Sequence, residues 1–154
     1  MMPEAHFVFS IIIWKLLYEF GIVPDYLSML IILGIGVGID VDVLFVTPHR
    51  TSFFHYPLTW ILIGLFSSIF SIRYAYMVIA ASIGHFILDS IDWSVYWLAP
   101  FSMRSFGLRI QEKNSQLDPY SDRLMNFIKE YYKDKRMIIL EVALIIIALI
   151  ICVI

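Results

Sequence analysis

YAYMVIAASIGHFILDSIDWSVYWL, residues Tyr74–Leu98, is the stretch on which the fold turns. It is long enough to cross a bilayer as a helix, which takes about 20 predominantly apolar residues. It holds no Lys, Arg or Glu, yet it carries His85, Asp89 and Asp92. On a helix, positions i and i+4 share a face, and i+7 stays on it. His85 and Asp89 therefore point the same way, with Asp92 beyond them. A charge at the middle of a membrane helix costs about 2.5–3.5 kcal/mol on insertion scales. Asp89 is thus expected to face protein, not lipid. The bland reading is a structural His–Asp hydrogen bond between helices. The functional reading is a pair of metal ligands, or a histidine with its orienting carboxylate.

The rest of the chain extends the membrane pattern. Of 154 residues, 60% are hydrophobic, and the mean hydropathy is +0.82. A soluble core of this size could not hide so many apolar side chains. The expected fold is all-α, a polytopic transmembrane helical bundle of four to five spans forming one integral-membrane domain over residues 1–154. A net charge of −2 speaks against a polyanionic partner, and no nucleic-acid ligand is expected. The single cysteine, Cys152, leaves neither a disulfide framework nor a CxxC site. Met-Met-Pro-Glu-Ala-His lacks a basic n-region and a cleavage site, so a retained first helix is expected, not a signal peptide.

The other runs follow in order. The first covers about His6 to Val23 and carries Lys15 and Glu19, read as a pair facing the bundle. Pro24-Asp25 signals a turn. The second covers Tyr26 to about Val46, with Asp40 and Asp42 near its end and Gly34 and Gly38 spaced for close helix packing. The third, Leu58 to Ile72, is uncharged but short for a span. The last, Met137 to Ile154, has only Glu141 charged, which is expected to snorkel to the interface. Residues 101–136 are polar. Within them, Asp118-Pro119 is a helix start signal, and Leu124, Phe127, Ile128 and Tyr131 recur at helical spacing among basic residues. An amphipathic helix lying on the membrane surface before the last span is expected there, and a plain polar connector is the rival reading.

Eight of the eleven Lys and Arg fall between Arg104 and Arg136. The positive-inside rule makes that loop cytoplasmic. Counting back through five spans places the 47–57 loop and the N-terminus on the same side, in the cell (inner) membrane. His6, Asp40, Asp42, His49, Arg50, His55, His85, Asp89 and Asp92 then all gather at the cytoplasmic face. Scattered solvation accidents would not sort that way.

Each group has an ordinary reading when taken alone. Asp40-Val-Asp42 reads as a solvated helix end, because i and i+2 diverge by about 200° on a continuous helix. If the helix frays before Thr47-Pro48, the two carboxylates suit zinc, manganese or magnesium. His49 and His55 offer imidazoles, the commonest metal ligands near neutral pH. The guanidinium of Arg50 suits a phosphate or an oxyanion, or simply a lipid phosphate. Phe53, Phe54, Tyr56 and Trp60 read as interface aromatics. His6 by itself reads as a frayed terminal residue. G-x-S-x-G, H-E-x-x-H and the P-loop pattern are absent. An inventory of His and Asp with one Arg points to metal-assisted hydrolysis.

The order of these residues resembles the YdjM family, membrane-bound proteins regarded as LexA-regulated metal-dependent hydrolases. Glu4-Ala5-His6 is similar to the family's E-G-H leader, and Asp40 and Asp42 to its D-x-D. His49-Arg50 with His55 resembles its histidine loop, one residue longer here. His85 and Asp89, followed by Leu98-Ala99-Pro100-Phe101, resemble its H-x-x-x-D helix and W-P-F-like end. Ile39 and Val43 stand where the family usually has Pro and His. The resemblance spans residues 4 to about 125. It implies one site holding one or two divalent ions through His6, Asp40, Asp42, His49, His55, His85 and Asp89. One of Asp40, Asp42 or Asp89 would take a proton from water, and Arg50 would hold an anionic substrate group. The membrane setting and Arg50 suggest a lipid or lipid-linked phosphoester. Two other classes compete: a metal-independent membrane phosphatase using His85 and Asp89, and a non-enzymatic metal-binding or transport protein.

Overall fold

A computed structural model describes residues 3–40, 53–92, 94–108, 129 and 132–153. Among them are five α-helices and no strand: α1 (Pro3–Glu19), α2 (Tyr26–Gly38), α3 (Pro57–Ser67), α4 (Ile72–Asp92) and α5 (Lys135–Val153). A short 3-10 turn, Phe53–His55, precedes α3.

Local chemistry sets the helix ends. Gly21 stops α1 with φ 68°, a left-handed conformation that glycine adopts without a Cβ penalty. The freed carbonyls of that last turn accept from Phe20, Gly21 and Ile22. Asp25 caps α2: its carboxylate accepts from the Ser28 backbone N–H at 3.0 Å and the Ser28 hydroxyl at 2.8 Å. The Pro24-Asp25 turn is therefore where the sequence puts it. Tyr56, extended, precedes Pro57 in the first turn of α3, where its missing N–H costs nothing. Asp134 opens α5, its carboxylate accepting the Arg136 backbone N–H and both arms of the Arg136 guanidinium at 3.0–3.1 Å.

The helices run up and down. Packing of α1 on α2 and α4 buries Trp14, Val23, Ile32, Met77 and Ala81. The face of α2 turned inward is Ser28, Ile32 and Gly36, at i, i+4 and i+8. A Cβ on Gly36 would overlap the Ser10 hydroxyl of α1. The close packing expected of Gly34 and Gly38 is thus corrected to Gly36, since nothing lies within 4 Å of a Cβ at either of the other two. They sit on a different helix face. Gly64 makes the equivalent close approach of α3 to Ile79 on α4. Ala5 and Leu88 pack with Leu140 and Leu144, which fixes the start of α5 beside the start of α1 and the end of α4.

Three expected boundaries change. The helix of the second run closes at Gly38, before Asp40, and residues 41–46 lie outside the described residues. The Tyr74–Leu98 run is helical only to Asp92. Beyond it the chain turns back, with Val95 and Phe106 exchanging backbone hydrogen bonds at 2.8–2.9 Å. Ser90 ends the helix from within: its carbonyl accepts from Leu108 N–H at 2.8 Å, and its hydroxyl accepts from Trp97 Nε1 at 3.0 Å. The third run yields a helix of 11 residues, about 16 Å long. Among the described residues, only α4 and α5 are long and apolar enough to cross a membrane. The expected interfacial helix at 118–131 lies outside the described residues.

Lys15 and Glu19 do pair, at 2.7 Å, but the Glu19 side chain is 57% exposed. The pair therefore sits at the rim of α1, not inside the bundle. Much of the remaining exterior is apolar, including Phe20, Leu62, Phe66, Ile69, Ile139 and Leu149.

Candidate metal centre

Up-and-down topology brings the start of α1, the end of α2, the approach to α3 and the end of α4 to one end of the bundle. His6 lies in the first turns of α1. Asp40 follows the last turn of α2. His55 closes the 3-10 turn before α3. His85 and Asp89 lie in the second half of α4. These five side chains meet. Asp89 touches His6 at 3.3 Å, His55 at 3.5 Å and His85 at 3.5 Å. Asp40 lies 3.4 Å from His55 and 3.7 Å from both His6 and His85. In every pair the histidine atom is Nε2.

The cluster is buried. Asp89, His6, His55 and His85 are each at most 2% exposed. Asp40 is the open edge, its side chain 23% exposed. A carboxylate as deeply buried as Asp89 needs charged or hydrogen-bonded compensation. It sits among three imidazoles, so their protonation decides what the cluster is.

One tautomer is settled by geometry. His85 Nδ1 lies 2.7 Å from the Gly36 carbonyl oxygen. A carbonyl only accepts, so Nδ1 carries the hydrogen and donates it. If His85 is neutral, its Nε2 presents a lone pair to Asp40 and Asp89. Two lone-pair-bearing groups repel unless something positive lies between them. A proton on Nε2 would draw the contact in to about 2.7–2.9 Å, the length of an N–H to carboxylate bond. The observed contacts, 3.3–3.7 Å, are longer. Four ligands placed tetrahedrally about 2.0–2.2 Å from a zinc-like ion stand about 3.3–3.6 Å apart. The spacing fits a shared cation better than a shared proton. One ligand atom each from Asp40, His55, His85 and Asp89 lies within 4.8 Å of all the others, and the group could hold a metal ion. Neutral imidazole fixed by a hydrogen bond at its other nitrogen is the usual arrangement of a metal-ligating histidine.

Outer groups hold the ligands in place. Gly36 is in the last turn of α2, where carbonyls lack intrahelical partners, so one is available to His85. Ser10 donates its hydroxyl to the His6 carbonyl at 2.7 Å and packs on Gly36. Trp60 Nε1 donates to the Phe54 carbonyl at 2.7 Å, pinning the turn that carries His55. Trp60 is thus more than the interface aromatic its type suggests, while Phe53 and Phe54 are exposed as expected. Phe86, fully buried, stands edge-on to His55 and His85.

Of the residues singled out in the sequence, His6, Asp40, His55, His85 and Asp89 come together. Asp42, His49 and Arg50 lie outside the described residues, as does the side chain of Asp92. Gly36, Ser10 and Phe86 had not been singled out for the site. Ser10 is i+4 from His6 and shares its face, a signal within reach. Nothing local marks the Gly36 carbonyl, because its partner is 49 positions away.

The fold and site define an all-helical protein with a buried His/Asp cluster suited to a metal ion. The chain matches no family model, no curated protein and no solved structure.

Proposed function

We propose that the protein is a membrane-embedded metal-dependent hydrolase similar to the YdjM family, acting on a lipid or lipid-linked phosphoester. The observation that carries the reading is the convergence of three buried imidazole Nε2 atoms on two carboxylates at 3.3–3.7 Å. His6, Asp40, His55, His85 and Asp89 would hold zinc, manganese or magnesium. A divalent ion held there would lower the pKa of its bound water toward about 7 and so supply hydroxide near neutral pH. Asp40, with its side chain 23% exposed, is the edge at which water reaches the site. Burial of Asp89 and His85 excludes competing solvent. The anion-holding role of Arg50 rests on the sequence alone.

Membrane embedding is supported by the length and apolarity of α4 and α5 and by the apolar exterior. In this reading α4 and α5 cross the bilayer, and the shorter α1, α2 and α3 pack against them. The basic residues at 104–136 favour a cytoplasmic site. Lys135 and Arg136 start α5 at the site's end of the bundle, in keeping with that orientation.

Protein purified in detergent should carry a divalent metal by elemental analysis. His85→Ala and Asp89→Ala should each weaken its retention more than about a hundredfold, beyond the 10–100-fold typical of outer-group changes. Full metal content in both variants sinks the centre. Hydrolysis of a phospholipid panel should stop with chelator and return with metal. Chelator-resistant hydrolysis that needs His85 would favour the metal-independent phosphatase. The burial of His6, His55, His85 and Asp89 favours one further reading, a non-enzymatic metal-binding protein. Metal retention without hydrolysis of any panel lipid would select it.

A further inference from the structure

The carboxylates present different oxygens to different histidines. His55 and His85 face Oδ1 of Asp40, at 3.4 and 3.7 Å, and Oδ2 of Asp89, at 3.5 Å each. His6 faces the other oxygen of each pair: Oδ2 of Asp40 at 3.7 Å and Oδ1 of Asp89 at 3.3 Å. The cluster therefore divides into two nests. One is His55, His85, Asp40 Oδ1 and Asp89 Oδ2. The other is His6, Asp40 Oδ2 and Asp89 Oδ1. Both carboxylates lie across the division, each with one oxygen on either side.

His6 is the independent witness for the second nest. It is 1% exposed, and neither ring nitrogen makes a hydrogen bond. Burying polar nitrogens without partners costs about 1–3 kcal/mol each. Its Nε2 nonetheless points at two carboxylate oxygens, at separations too long for a charge-assisted hydrogen bond, about 2.7–2.9 Å. A single ion seated among Asp40 Oδ1, Asp89 Oδ2, His55 and His85 leaves His6 Nε2 aimed at the remaining oxygen of each carboxylate. Stacking of the His6 and His85 rings, with centroids 4.1 Å apart, holds the two nests side by side.

We propose that the centre is binuclear, with Asp40 and Asp89 bridging two divalent cations, His55 and His85 serving one and His6 the other. This rests on the metal-centre reading above and adds a second site to it. Bridged two-metal centres clamp both the attacking and the leaving oxygen of an in-line displacement at phosphorus. The class of substrate they suit is a phosphoester.

Purified full-length protein, loaded with Mn²⁺ and freed of excess, tests this by metal content and electron paramagnetic resonance. Wild type is expected to hold two ions per chain and to show a spin-coupled spectrum. His6→Gln and His6→Ala are expected to hold one ion and to show an uncoupled six-line spectrum. Gln keeps the bulk of the side chain should Ala fail to fold, and the wild-type spectrum needs no variant at all. One ion in wild type, with an uncoupled spectrum, overturns the binuclear proposal and leaves the metal centre standing. No bound ion in wild type overturns both.

Discussion

Gly36 does two things with no side chain. Its carbonyl takes the His85 Nδ1–H, and its bare Cα lets Ser10 of α1 approach. A methyl group there must either swing the Ser10 hydroxyl off the His6 carbonyl or push α1 and α2 apart. Either shift loosens the hold on His6, and the second also moves the carbonyl from His85. Gly36→Ala should therefore weaken metal binding by about 10–100-fold, the range for lost outer-group support. Removing the hydroxyl it collides with should restore much of the loss. Metal titrations of Gly36→Ala, Ser10→Ala and the double variant measure this coupling. Equal affinities in Gly36→Ala and the double variant would remove Ser10 from the account. The meeting of His85 and Asp89 was legible because i, i+4 spacing puts both polar groups on one face of an apolar helix. Gly36 was not legible, because a carbonyl acceptor is common to every residue and only packing selects one.

At the scale of elements, the site depends on where helices stop. Regular α2 ends at Gly38, and Asp40, four residues past Gly36, continues the inward face of Ser28, Ile32 and Gly36 toward Asp89. The beginning of α2 is set by Asp25. Hydrogen bonds from Ser28, backbone first and then hydroxyl, hold the Asp25 carboxyl below its ordinary pKa. A carboxylate depressed in the folded state contributes stability above its unfolded value, about 3.9. That contribution fades as pH falls through the lower folded value. Asp25→Asn cannot titrate, so it should lack this part of the acid response. Thermal unfolding of both proteins from about pH 7 to about pH 3 should show wild type losing more Tm than the variant. Parallel curves would deny Asp25 a capping role. Helix existence was legible here from apolar runs, and the caps from Pro24-Asp25 and Pro57. The end of α4 was not, since Trp93 to Leu98 are as apolar as the helix before them, and the Ser90 contacts that stop it come from residues downstream.

For the whole molecule, the question is what surrounds it. Helix α5 leaves Ile139, Val142, Ile146, Leu149 and Val153 exposed, a face that water would penalise at about 25 cal/mol per Å². Ile145, near the middle of α5, is 44% exposed. Ile145→Arg should cost about 2.5–3.5 kcal/mol of membrane insertion. A glycosylation-mapping assay should show α5 of the variant failing to insert. If α5 instead bathes in water, the substitution should raise solubility and leave the fold intact. Composition made an apolar surround legible from the start. The number of helices long enough to cross was less so, because hydropathy counts apolar residues and not helical ones. The Leu58–Ile72 run spends its last residues on the turn into α4.

What the sequence determined by itself was the chemistry on offer: imidazoles and carboxylates set in long apolar runs of helical length. It also put them in an order that alternating helices carry to one end. The tertiary structure decided which of them meet. His6, Asp40, His55, His85 and Asp89 come from four segments, and their distances depend on helix stops, on the Gly36–Ser10 approach and on the Trp60 anchor. These are contacts between residues far apart in the chain. No periodicity encodes them, because each exists only once the helices have packed.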